Sequence, residues 1–146
     1  MKESILREKC KVFAIRIIKL YKFLTEDKKE FVMSKQILRS GTSIGANFAE
    51  AIYGVSEADF LNKLSIAQKE ASETIYWLDL LHETDFITQN QFDSLHTDAD
   101  ELLRLLAASI ITIKNITKTM SLKSRISNMT DSFTSLSISK KNIPKL

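Results

Sequence analysis

Only three glycines and one proline are found in 146 residues. Sandwiches, barrels and nucleotide-binding α/β folds reverse the chain often and draw on these residues at their turns, so the scarcity argues against all of them and for a few long helices. The length suits one domain and is too short for a two-domain enzyme. With 44% hydrophobic and 27% charged residues, the chain reads as globular rather than disordered or membrane-embedded.

Apolar spacing locates the helices. Leu6, Cys10, Phe13, Ile17, Leu20 and Leu24 alternate four and three apart, the seam of a bundle helix, and predict a first helix over residues 4–24. Thr25, Glu26 and Asp27 offer a cap and an acidic first turn for a second helix over 28–53, with Phe31, Ile37, Leu38, Ile44, Phe48 and Ile52 on one side. Gly54 stands where a helix ends in a left-handed residue, and Ser56 with Asp59 three later resembles a capping box. A third helix over 57–82 follows, its seam Phe60, Leu64, Ala67, Ala71, Thr74, Leu78 and Leu81. Thr88 with Gln91 repeats the box, and a fourth helix turns Phe92, Leu95, Ala99, Leu102, Leu106, Ile110 and Ile113 inward, reaching Thr119. Short connections between long helices force neighbours to run antiparallel, which predicts an all-α, up-down-up-down four-helix bundle over residues 1–120. Residues 121–146 turn to Ser, Thr, Asn and Lys, and hold the only proline, Pro144; they are expected to form a basic, disordered tail.

Cys10 has no intrachain partner and lies on an inward seam, so it reads as a small hydrophobe. No charged and apolar leader with a small-residue cleavage site opens the chain. The longest apolar stretch, 102–113, is interrupted by Arg104 and falls short of the ~20 residues that span a bilayer. The expectation is a cytoplasmic protein with no membrane partner.

Charge is lopsided. Residues 1–40 carry +6, 50–101 carry −10 and 102–146 carry +7, within an overall +3. Such asymmetry speaks to surfaces and partners. The third helix has a second line, Ile66, Glu70, Glu73, Trp77 and Leu80, turned roughly 100° from its seam. The first helix adds Val12, Ile15 and Ile18 among its lysines and arginines. Apolar patches flanked by charge mark a subunit interface, and the plainer alternative is the edge of a broad core stripe. On the second helix, Arg39, Ser43, Asn47 and Glu50 stack in a polar stripe opposite Phe48. Gly41 and Gly45 in its middle each cost ~1 kcal/mol relative to alanine. They suit a close helix approach or a bend.

The stretch RSGTSIGANFAEA (39–51) followed by KLSIAQKEASETIYWLDLL (63–81) resembles the four-helix-bundle proteins encoded in intervening sequences of large-subunit ribosomal RNA genes. The resemblance spans residues 5–118, with Arg39, Ser43, Asn47, Glu50, Glu70 and Glu73 at matching positions. Ala51 stands where many relatives have glycine. The resemblance implies an antiparallel bundle, a homopentameric ring and no established enzymatic activity. A related branch, the accessory proteins of diversity-generating retroelements, is similar in fold and works with nucleic acid.

Charge supports a ring independently, since unlike edges of one protomer meet heterologously and close if the rotation allows. Glu70 and Glu73 are expected to meet Arg39 or Arg16, within or across subunits. A basic face of Lys9, Lys11, Arg16, Lys19, Lys22, Lys114 and Lys118 would meet nucleic-acid phosphates; the alternatives are a merely solvated face and a protein scaffold without nucleic acid. No RNP pattern, recognition helix or zinc finger accompanies it. A di-iron bundle needs inward Glu-x-x-His pairs, and only Asp79-x-x-His82 and Asp93-x-x-His96 occur, so neither a metal nor any other cofactor is expected. Glu50, Glu70 and Glu73 lack a nucleophile or oxyanion donors, so no catalysis is expected and an ion-pair network is the plainer role.

Overall fold

A computed structural model describes residues 2–141, with side chains described for 5–136. It contains four helices, α1 Lys2–Glu26, α2 Met33–Ile52, α3 Glu57–Glu83 and α4 Gln89–Lys141, and no strand among the described residues. The described residues divide into two compact units, the first ending at Ile110.

In the first unit the expected seams are the core. Cys10, Phe13, Ile17 and Leu24 of α1, Leu64, Ala67, Ala71 and Leu78 of α3, and Ala99, Leu102 and Leu106 of α4 are at most 2% exposed. The residue numbers of facing helices run in opposed order. Ile17 faces Gly41 and Cys10 faces Gly45 between α1 and α2; Ser40 meets Thr74 and Glu50 meets Lys63 between α2 and α3. Between α1 and α4, Lys9 pairs with Glu101 and Arg16 with Asp98.

The two mid-helix glycines of α2 sit at the α1 contact. A Cβ on Gly41 would lie 2.8 Å from two side-chain carbons of buried Ile17, and one on Gly45 would lie 3.2 Å from Cys10 Cβ. Close approach is therefore what keeps glycine at position 41, while at Gly45 the fit against Cys10 is tight without excluding a methyl. Across the other side of α2, the Ser40 and Thr74 hydroxyls, both buried, are 2.9 Å apart, and each also reaches a carbonyl of its own helix. That pair places two polar atoms in the core without leaving either unbonded.

Three local expectations need correction. The second helix starts at Met33 rather than Lys28. Lys29 takes a left-handed φ of 53°, and the Glu30 carboxylate accepts the N–H groups of Val32, Met33 and Ser34 at 2.6 to 2.9 Å. This one side chain satisfies three of the N–H groups that a helix start leaves open, and Phe31 is left outside the helix and 53% exposed. Gly54 is not left-handed, since no glycine has positive φ. α2 instead tightens into i→i+3 bonds, Tyr53 N–H to Glu50 and Gly54 N–H to Ala51. Space fixes this glycine, because a Cβ would meet Asp59 Oδ2 at 2.9 Å. The third correction is the length of α4, which continues past Thr119 to Lys141. No glycine or proline interrupts 89–141, and Thr119, Thr130 and Thr134 turn their hydroxyls back onto carbonyls four residues earlier. A polar composition is thereby accommodated on a helix without a break.

Both expected N-terminal caps form, Thr88 with Gln91 as a full box and Ser56 through one bond. Ser56 Oγ accepts from the Asp59 N–H at 3.1 Å, and Thr88 and Gln91 exchange bonds of 2.9 and 3.2 Å.

Candidate interaction faces

The faces follow from which side of each helix the core leaves over. On α1 the core takes the seam, so Val12, Ile15 and Ile18 point away from it and are 47%, 44% and 39% exposed. Ile5, 54% exposed, joins them about two turns before Val12, a member the sequence reading missed at the helix start. Exposed Lys11, Lys19 and Lys22 lie beside this line. Lys9 and Arg16 do not stand alone: Lys9 Nζ is 2.7 Å from Glu101, and Arg16 holds Asp98, the Ser94 hydroxyl and the Ser94 carbonyl. Arg16 therefore serves the α1–α4 contact and is not the partner of Glu70 or Glu73 within the chain. Lys114 and Lys118 belong to the second compact unit.

On α3, Ile66, Glu70, Trp77 and Leu80 are half-buried and Glu73 is exposed. Their line is shallower than that of α1. Trp77 Nε1 donates to Glu73 Oε1 at 3.2 Å, and its ring meets Tyr76 edge-on at 5.1 Å. Tyr76, 55% exposed, extends the apolar surface and was also missed. Burial pushes the Glu70 carboxyl above its usual range; the neighbouring Glu73 carboxylate pushes the same way, and the Arg39 guanidinium pulls back. Arg39 thus acts on Glu70 through its charge, and the two form no ion pair among the described residues.

The α2 stripe is internally bonded. Ser43 Oγ donates to the Arg39 carbonyl at 2.6 Å, Asn47 Nδ2 to the Ser43 carbonyl at 2.8 Å, and Glu50 accepts from Lys63 Nζ at 2.7 Å. That last bond raises the Lys63 ammonium above its ordinary range. Arg39 itself is exposed.

Other chemistry-bearing groups have ordinary surroundings. Burial pushes the Cys10 thiol up to about 11, so it is not a nucleophile at neutral pH. His82 stacks on Phe92 at 4.5 Å and His96 lies 5.2 Å from the same ring, an aromatic stack between the ends of α3 and α4. Among the described residues no group of three or more His, Cys, Asp and Glu side chains converges to hold a metal ion, and no helix is long and apolar enough to cross a membrane.

Residues 2–108 match the family described as 23S rRNA-intervening sequence protein. A solved structure from Bacteroides thetaiotaomicron, of a protein with unknown function from the S23 ribosomal protein family, is 56% identical, with a TM-score of 0.75. The similarity covers 75% of this chain and 98% of that one. None of the curated proteins matches the chain. With all four helices begun within the matched residues and the polar stripe of α2 and the outer line of α3 inside them, the chain belongs to the 23S rRNA-intervening sequence protein family.

Proposed function

We propose that the protein is a non-enzymatic, homo-oligomeric bundle of the cytoplasm that serves as an accessory to nucleic acid. The opposed numbering of facing residues supports an up-down-up-down arrangement of the four helices. The observation that carries assembly is the exposure of Ile5, Val12, Ile15 and Ile18 on a lysine-rich α1, in a chain whose α3 turns out a line of half-buried Glu70 and Trp77 with exposed Glu73. Unlike surfaces on one protomer make heterologous contacts, and these close into a ring. The pentameric count comes from the family resemblance.

Light scattering of the full chain tests this against its 16.6 kDa mass. The expected result is roughly five chains per particle for the wild type and lower mass for Ile15→Glu and Glu73→Lys. A wild type that runs as one chain, or variants of undiminished mass, rejects it.

The basic side chains Lys11, Lys19 and Lys22 support phosphate contact, which a ring multiplies. Affinity for mixed-sequence RNA or DNA should fall linearly with log salt, with a shallower slope for Lys19→Gln and Lys22→Gln. No retention on a nucleic-acid column at ~0.1 M salt leaves the second reading, a protein scaffold that uses the same apolar line on α1.

A further inference from the structure

Beyond the residues matched by the family, α4 carries a second apolar line. Leu122, Ile126, Met129, Phe133 and Leu136 recur at four and three and are each between 49% and 67% exposed. At about 100° per residue they fall within an arc of roughly 80°. Asn128, Met129, Ser132, Phe133 and Leu136 line a shallow depression of ≈ 250 Å³ along it. By the same rotation Lys118 and Arg125 border one side of the line and Lys123 the other, whereas Asp131 falls on the opposite side of the helix. None of these three cations makes an ion pair among the described residues. Opposite the line lie Ser124, Ser127 and Ser135, with Met120, 65% exposed, the one large apolar side chain on that side between 118 and 136.

These positions discriminate between occupants. A second copy lying parallel would set Lys118 against Lys123 of its partner, like charge on like. A coiled-coil partner calls for three or more heptads with charged flanks, yet this line spans two, and past Arg125 its flanks are Thr130 and Ser132. Nucleic acid would engage the cations and gain nothing from five exposed apolar side chains. An anionic lipid surface uses every part: apolar side chains enter the boundary between headgroups and acyl chains, bordering cations reach the phosphates, and the polar side stays in water. Lying along a membrane does not require the long apolar span that no helix among the described residues has.

We propose that residues 118–136 of α4 form an amphipathic anchor that lies along an anionic membrane surface. Leu122, Ile126, Met129, Phe133 and Leu136 enter the lipid, and Lys118, Lys123 and Arg125 contact headgroup phosphates.

Co-sedimentation of the full chain with vesicles tests this. The protein pellets with vesicles of phosphatidylcholine mixed with phosphatidylglycerol, and far less with phosphatidylcholine alone. The double variant Ile126→Glu, Phe133→Glu loses about tenfold or more in lipid affinity. The triple variant Lys118→Gln, Lys123→Gln, Arg125→Gln loses the preference for anionic vesicles. Because these side chains are exposed, both variants keep the wild-type circular dichroism and melting. Failure of the wild type to pellet with the mixed vesicles overturns the proposal, as does equal pelleting of the double variant. A wild-type mass that the double variant lowers in the absence of lipid also overturns it, in favour of a second copy. Retained RNA binding by the double variant separates this surface from the nucleic-acid role.

Discussion

α4 is one uninterrupted helix with two different fates. Up to Ile110 its apolar residues Leu95, Ala99, Leu102, Leu106 and Ile110 are at most 7% exposed; from Leu122 to Leu136 the same four-and-three spacing is at least 49% exposed. Backbone, period and residue types hardly differ between the two. Periodicity thus reveals that a helix has a line to cover, and says nothing about what covers it. Burial comes only where other segments of the chain bring matching lines, as α1 and α3 do within the first unit.

The sharpest way to break this contrast is to truncate one residue in each half. Leu106→Ala should lower stability by about 2–5 kcal/mol, since it empties a fully enclosed site, whereas Phe133→Ala should stay within ~0.5 kcal/mol in lipid-free solution. Chemical denaturation followed by circular dichroism measures both. A cost near 2 kcal/mol for Phe133→Ala would mean that the second half is covered in solution after all.

Next in size, Gly41→Ala should cost about 1–3 kcal/mol as its methyl meets Ile17. Gly45→Ala should be close to neutral, because its tighter contact with Cys10 offsets a gain of ~1 kcal/mol in helix propensity. Equal melting temperatures for the two variants would remove close approach as the reason for Gly41.

Glu30 tests how the covered region is entered. Its burial pushes the carboxyl up, but the N–H groups of Met33, Ser34 and Val32 more than compensate and hold it below its ordinary value. Its folded pKa is the lower one, so its contribution is complete above the unfolded glutamate value near ~4.3 and disappears as pH falls through the folded value. Glu30→Gln should cost about 1–2 kcal/mol at neutral pH and flatten that part of the acid profile. An unchanged acid limb would assign the loss to other carboxylates. Arg16→Ala should cost at most ~1 kcal/mol, because the ion pair with Asp98 is about one-third exposed on each side. Urea titrations at low and high salt read it.

Much of this was legible in the residues themselves. The seams of α1, α3 and the first part of α4 come straight from spacing, because a packed helix repeats locally; the N-terminal caps at Ser56 and Thr88 do too, because each spans four residues. Glu30 was not legible: a carboxylate that caps from outside the helix obeys no short pattern, and its geometry depends on the left-handed Lys29. The end of α4 was misjudged because a change in composition was taken for a change in structure, though threonine hydroxyls bond readily within a helix. On the candidate faces, Val12, Ile15 and Ile18 were found from their position off the seam, and Trp77 and Leu80 from a second line. The links Lys63 to Glu50 and Arg16 to Asp98 join distant segments, and spacing within one helix carries no information about them.

The silence of Cys10 has a practical side. With its sulfur 1% exposed as part of the residue and its thiol raised to about 11, only about one molecule in ten thousand carries a thiolate at neutral pH. Maleimide dyes and spin labels will therefore pass over it, and a single cysteine introduced at Met129 or Ile15 becomes the one reporter on the molecule without any background to delete.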